Sequence, residues 1–388
     1  MGQVTIKKKE AAGIWFSFFV GVLLFSMFSC PVKAQTEEED NTSFDILAEE
    51  MEKEFNKVDE LLGTVSFRDI IKHLLSLNKT DYKEVGKILL DTVREQFAKE
   101  KTTMVKLFLL GILSAFFAEF ENPTLKQYVG DTGYFAIYTI MLSIFLISFK
   151  NLYDIALTGV TLMLNGMSAL IPIYVSALFL AGNIKTAIGV YSFVVVGIGV
   201  VEWTICNVIF PVSYFYFVLQ MLNYSMKEQR FARLAAFLKS VVIWVLRLLF
   251  GVITGMQVVQ CLLLPATDQA RSSNFSKSLA AIPGLGASAR ALTGTLLQSA
   301  TVLKNAVGVA GMLVLIMLVL VPATKLLFGI LSYQLMAALL QPIAHRQIAA
   351  LLGSLSSSIK LLFQGLVTAT VLFLVCIAIV TAATVSGG

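Results

Sequence analysis

The chain has 388 residues, of which 57% are hydrophobic and only 14% are charged, and its mean hydropathy is +0.79. Soluble domains are about 45–50% apolar and about 25% charged. This composition excludes an ordinary soluble enzyme and predicts an all-α protein that crosses the membrane several times. The net charge of +5 is uneven, because residues 1–106 hold 15 Lys/Arg and 18 Asp/Glu whereas residues 107–388 hold 15 and 7. The later cations fall between apolar runs, which is typical of membrane-protein loops rather than of a nucleic-acid-binding surface.

The first 34 residues have the pattern of a secretory signal peptide. Three lysines at 7–9 precede an apolar stretch from Ile14 to Phe28, and Val32 and Ala34 are the small residues of a cleavage site. We therefore expect residues 1–34 to be removed, with an uncleaved signal anchor as the alternative.

Residues 35–101 are predicted to form an acidic, helical extracytoplasmic segment. Residues 35–60 contain 11 acidic side chains against two lysines, so the start of the segment cannot bury enough apolar area to order itself. From Phe44 onward, apolar residues recur at spacings of three and four, which indicates amphipathic helices. The segment either tethers and shields the membrane domain or docks a partner.

Residues 102–388 are predicted to be a polytopic membrane domain. About 20 apolar residues cross the hydrocarbon core, and the apolar runs give about eight spans: 103–120, 133–149, 155–181, 187–206, 208–223, 240–264, 306–330 and 361–385. We expect the run 187–222 to fold as a hairpin, because Glu202, Asn207 and Pro211 interrupt it. In 155–181, Asn165 and Pro172 predict a kink or an unwound centre.

Export of the acidic segment fixes the side of the membrane on which we expect each later connection. The densest basic connection, around residues 227–239, then lies in the cytoplasm, as the positive-inside rule requires. Residues 265–305 face outward in this scheme and contain an amphipathic stripe, which predicts an interfacial or re-entrant helix. Residues 332–358 are expected at the cytoplasmic face.

The sequence offers no catalytic, cofactor or metal site. It lacks a phosphate-binding loop and the His-Glu-x-x-His pattern of zinc proteases, and it has only two histidines. We therefore expect a non-enzymatic protein without a cofactor.

Four polar residues inside apolar runs are the candidate functional side chains: Glu202, Arg247, Asn165 and Lys325. A charge at the bilayer centre costs at least about 2.5–3.5 kcal/mol, so such groups pair with one another or face water. Glu202 and Arg247 are expected either to form an ion pair or to line a polar conduit. Lys325 is expected either to extend its charged end to the membrane surface or to join these two residues.

A set of short motifs in the second half of the chain resembles the stage III sporulation protein AE family of endospore-forming bacteria. The motifs combine small residues, prolines and amides at set spacings, namely Pro283, Gly286, Lys304, Asn305, Gly308, Gly311, Pro322, Lys325, Gln341 and Pro342. Each motif alone is ordinary in membrane helices; together they are specific.

The resemblance implies a multi-pass protein of the mother-cell membrane that surrounds the forespore. Family members work with other membrane proteins of the same sporulation operon, with a separate secretion-type ATPase and with a forespore-made partner across the intermembrane space. The implied function is a permease-like subunit of a secretion-like channel complex needed for forespore development. A stand-alone secondary transporter using Glu202, Asn165 and the break at Pro172 is the alternative, and a structural scaffold without a conduit is a third.

Overall fold

The computed structural model describes residues 82–119, 126–180, 184–226, 230–280, 286–344 and 346–383. This part of the chain is all-helical and contains no strand. Its helices are α1 Tyr82–Glu119, α2 Lys126–Leu180, α3 Ile184–Thr204, α4 Phe210–Ser225, α5 Ala232–Ala280, α6 Gly286–Leu340 and α7 Arg346–Ala383. The predicted signal peptide and most of the predicted acidic segment lie outside the described residues, and the expected boundary after residue 101 falls inside α1.

Helices α2, α6 and α7 form the centre of the bundle, and small residues let them pack closely. A Cβ added at Gly159 would lie 2.9 Å from Pro322, and one added at Gly311 would lie 3.5 Å from Leu170. These contacts show that α2 and α6 run antiparallel. Small residues at helix crossings are the usual route to close packing between membrane helices.

The remaining contacts fix the order of residues along the bundle. Thr370 of α7 donates a hydrogen bond to the sulfur of Met163 of α2 at 3.3 Å. The ring of Phe97 of α1 contacts Phe328 of α6 at a centroid distance of 6.2 Å, and a Cβ at Gly111 would meet Leu340. Helices α1 and α6 are therefore parallel, so the end of α1 lies on the side where α6 ends.

The structure corrects the separation of the predicted spans 133–149 and 155–181. Both belong to α2, which is one helix of 55 residues. The polar residues Lys150, Asn151 and Asp154 are exposed on one side of this helix, whereas Leu152 and Ala156 are buried. Polarity here marks a face of a helix and not its end. The helix also continues through Pro172, so the unwound centre expected there is absent.

The structure also corrects the hairpin expected between residues 206 and 208. The chain continues from α3 into α4 through a single π-helical turn, Ile205–Ile209, in which the backbone N–H of Phe210 bonds the carbonyl oxygen of Ile205. Pro211 follows at the start of α4. Because a proline lacks an N–H and its ring crowds the preceding turn, the wider π turn accommodates it without breaking the helix.

Five helical stretches of the described chain are long and apolar enough to cross a membrane: Phe135–Ile173, Val194–Ser225, Ala232–Val259, Asn305–Leu340 and Gln347–Ala378. The predicted span 103–120 is not among them.

Helices extend into the predicted outward connection 265–305. Helix α5 continues to Ala280 and α6 begins at Gly286, and residues 281–285 lie outside the described residues. The apolar stripe that predicted a separate interfacial helix belongs to the first turns of α6.

Candidate functional site: a polar groove beside helix α2

One face of α2 is polar over most of the length of a membrane crossing. Between residues 148 and 173, every exposed side chain of α2 is hydrophilic, and the set comprises Lys150, Asn151, Asp154, Thr158, Thr161, Asn165 and Ser168. From Asn151 onward their spacing alternates between three and four residues, which places them on one stripe of the helix. From Lys150 to Ser168 the stripe rises about 27 Å, close to the roughly 30 Å of a hydrocarbon core.

The opposite face of α2 holds this polar stripe in place. Leu152 packs against Gly329, and Leu170 packs against Gly311. Leu152, Met163 and Leu170 are each no more than 5% exposed. Because both ends of the buried face are fixed on α6, α2 cannot rotate its polar stripe into the core without losing this packing.

Helix α5 shows what an ordinary lipid-facing surface looks like in this chain. From residue 248 to 259 its exposed positions are all apolar or glycine: Leu248, Gly251, Val252, Gly255, Met256, Val258 and Val259. The contrast indicates that α5 faces lipid and that the polar stripe of α2 faces water or another polar surface.

Glu202 of α3 lies beside the polar stripe. Helices α2 and α3 are neighbours, and counting from their connection at 181–183 brings Glu202 to about the level of Thr161. The ring of Phe210, one turn after Cys206, contacts the ring of Tyr153 of α2 at a centroid distance of 5.9 Å. The row that contains Glu202 and Cys206 therefore faces α2. We call the surface formed by the α2 stripe and Glu202 the polar groove.

Helix α1 adds charge at the same level. The ring of Phe97 contacts Phe328, the neighbour of Gly329, against which Leu152 packs. The residues before Phe97 in α1 thus run alongside the polar stripe, and Arg94 is exposed. Helices α1 and α3 both neighbour α2.

The structure does not bring Glu202 and Arg247 together. Both side chains are exposed, they lie on different helices, and no ion pair joins them in the described chain. Arg247 lies on α5 one turn before Gly251. Lys325 is half-buried on α6. Of the four candidate residues, Asn165 and Glu202 belong to the polar groove.

The residues that carry the family resemblance lie mainly at helix contacts and helix ends. Gly308 is buried, and Pro322 fills the space beside Gly159. The side-chain oxygen of Asn305 is buried without a hydrogen-bond partner. Two further residues, Gln341 and Pro342, are exposed in the turn after α6. Gly286 begins α6, Pro283 lies outside the described residues, and the side chain of Lys304 is not described.

The groove offers hydroxyl, amide and carboxylate groups, which can solvate polar cargo or water. Among the described residues no group of three His, Cys, Asp or Glu side chains could hold a metal ion. Sequence reasoning selected Asn165 and Glu202 and missed six groove residues: Lys150, Asn151, Asp154, Thr158, Thr161 and Ser168. The signal that could have found them is the spacing of three and four between polar residues inside an apolar run.

The comparisons with known proteins agree on one family. The family model described as stage III sporulation protein AE matches residues 65–384. A curated relative, the stage III sporulation protein AE of Bacillus subtilis (strain 168), is 24% identical over 279 residues, which cover 71% of this chain and 70% of the relative. No solved structure matches. The chain is a multi-pass membrane protein with a role in sporulation, and it belongs to the stage III sporulation protein AE family.

Proposed function

We propose that this chain is a non-enzymatic, permease-like subunit of a channel complex that joins mother cell and forespore during sporulation. The observation that supports the proposal is the polar groove, since all seven exposed side chains of α2 between residues 148 and 173 are hydrophilic. Such a face is costly against lipid and favourable along a hydrated path.

The groove is open on one side in the single chain, because its stripe is exposed over its whole length. A closed path then needs further protein. In the proposal this wall comes from other membrane proteins of the same sporulation operon. The complex also includes a separate secretion-type ATPase at the cytoplasmic face and a forespore-made partner in the intermembrane space. The location that follows is the mother-cell membrane around the forespore.

The turn after α6 is our proposed contact for the ATPase side. Gln341, Pro342 and Ile343 are all exposed there, and the turn lies at the same end of the bundle as the basic connection at 226–231.

The test is to make the groove apolar without touching the core. The double variant Thr161→Leu/Asn165→Leu changes two exposed side chains, so we expect normal insertion and accumulation but a large loss of heat-resistant spores and of late forespore gene expression. The control is Thr161→Ser/Asn165→Gln, which keeps hydrogen-bonding groups in the groove and should sporulate normally. If the stripe faced lipid, the leucine variant would insert at least as well and sporulate normally, which would refute the proposal.

A stand-alone secondary transporter is the second candidate, and one observation favours it. Asn165 and Glu202 lie at similar levels on neighbouring helices, as a midplane binding site requires. Flux of a polar solute into liposomes that contain only this chain would support the transporter. In the channel-subunit proposal the chain alone gives no such flux.

A further inference from the structure

Glu202 is an isolated charge on an apolar helix. It is the single charged residue between Lys185 and Lys227 in the sequence, and it lies within a stretch that is long and apolar enough to cross a membrane. The other exposed side chains of α3 from residue 195 to 203 are apolar or glycine: Val195, Val196, Gly199, Val200 and Trp203. Because a carboxylate in such a stretch needs a counter-ion or water, the groups that surround Glu202 determine its role.

Ring contacts between α2 and α4 set the level of Glu202 along α2. Two such contacts run in opposite chain directions along the two helices, so α2 and α4 are antiparallel. In one of them Tyr153 contacts Phe210. Glu202 lies eight residues before Phe210, and Thr161 lies eight residues after Tyr153. Glu202 is therefore level with Thr161, in agreement with the count from the connection at 181–183.

No cation compensates Glu202 at this level of the polar groove. In α2 no charged residue occurs between Asp154 and Lys185, so the part of the stripe that lies beside Glu202 offers only hydroxyl and amide groups. Helix α5 also neighbours α3, but its Arg247 forms no ion pair with Glu202 in the described chain. The middle of the groove thus carries an uncompensated negative charge.

The second carboxylate of the groove has cations near it. Asp154 lies one turn after Lys150 on the same helix, and Lys150 is exposed. Arg94 of α1 is also exposed and precedes Phe97 by three residues, which brings it to about the level of Asp154. Opposite charges at such separations weaken the field of a carboxylate. The net negative field of the groove therefore arises at Glu202 and not at Asp154.

We propose that Glu202 makes the polar groove prefer cationic cargo to anionic cargo. The inference rests on the proposed function, since it assigns a charge preference to the hydrated path. A negative charge in a cleft with low-dielectric walls concentrates cations and repels anions, and rings of acidic side chains select cations in channels. The favoured cargo is inorganic cations and small molecules that carry amino groups. Phosphorylated or carboxylated small molecules are disfavoured.

The charge preference is tested with one cysteine at the level of Glu202. Thr161→Cys is introduced into a full-length chain without native cysteines, in membranes of sporulating cells that contain the assembled complex. The rates of its reaction with a cationic and an anionic methanethiosulfonate reagent of similar size are measured. Each rate is divided by the rate of the same reagent with a small free thiol. We expect the cationic reagent to be favoured by roughly tenfold, and Glu202→Gln to remove most of this preference.

Asp154→Asn is the matched control, because it removes the same charge from the same groove at a position with cations nearby. This variant should keep the preference for the cationic reagent. Equal normalised rates for the two reagents, or a preference that survives Glu202→Gln, would overturn the inference and leave the hydrated path in place. An equal loss of preference in Asp154→Asn would also overturn the assignment to Glu202. If neither reagent modifies Thr161→Cys, the groove is not hydrated, and the proposed function fails together with this inference.

Discussion

Individual glycines in this chain have opposite roles that depend on what surrounds them. At Gly159 an added Cβ would meet ring carbons of Pro322 at 2.9 and 3.0 Å, whereas at Gly353 nothing lies within 4 Å. A proline ring cannot rotate away as the end of a leucine can. Gly159 is thus required for the contact between α2 and α6, while Gly353 only lowers the helix propensity of α7.

The same substitution should therefore have opposite effects at these two positions. Gly159→Ala should lower the free energy of unfolding by about 1–3 kcal/mol, because it overpacks a fixed contact. Gly353→Ala should raise it by about 0.5–1 kcal/mol through helix propensity. Denaturant unfolding of the two variants in one detergent checks both signs, and equal effects would show that the contact between α2 and α6 is not tight.

At the scale of helices, the π turn at 205–209 sets the register between α3 and α4. It inserts one additional residue, after which Phe210, Ser213 and Phe217 face the core. The rings of Phe217 and Phe149 then stack with centroids 4.4 Å apart. Without the insertion, α4 would be rotated by about 100° relative to α3.

Deleting Asn207 should remove the turn and misdirect α4. The side chain of Asn207 is exposed, so the deletion removes no packing of its own, yet it turns Phe210 and Phe217 away from their contacts. Loss of a buried aromatic costs about 3–5 kcal/mol, and we expect a strong fall in thermal stability. Asn207→Ala is the matched control and should be near wild type; a stable deletion variant would mean that the π turn does not set the register.

The course of these helices shows which features the sequence reveals. Long apolar runs predicted the helices, because only a helix satisfies its backbone polar groups in lipid. The ends of helices were harder to place. In the sequence alone, Lys150 and Asp154 resemble loop residues. Only the burial of Leu152 and Ala156 shows that the helix continues. Asn207 and Pro211 resemble a hairpin, since the π turn has no sequence pattern of its own.

At the scale of the whole molecule, α2 presents a polar stripe between residues 148 and 173, and α5 presents an apolar face between residues 248 and 259. Asn165 could be selected from the sequence as a polar residue inside an apolar run. That it belongs to the polar groove depends on α2 being one helix held by α6. Arg247 and Glu202 both looked suited to pairing, yet they lie on different helices and form no ion pair in the described chain. The assignment of a hydrated path therefore depends on tertiary packing, which fixes the direction of each face.

The most direct test of the proposed hydrated path compares the reactivity of two cysteines at one depth, one on α2 and one on α5. Asn165→Cys lies in the polar groove, and Val252→Cys lies at about the same level on the apolar face of α5, where Val252 is 54% exposed. In membranes of sporulating cells that contain the assembled complex, a small charged thiol reagent should modify Asn165→Cys quickly and leave Val252→Cys unmodified. If both cysteines stay unmodified, or if only Val252→Cys reacts, α2 does not line a hydrated path and the proposed function fails.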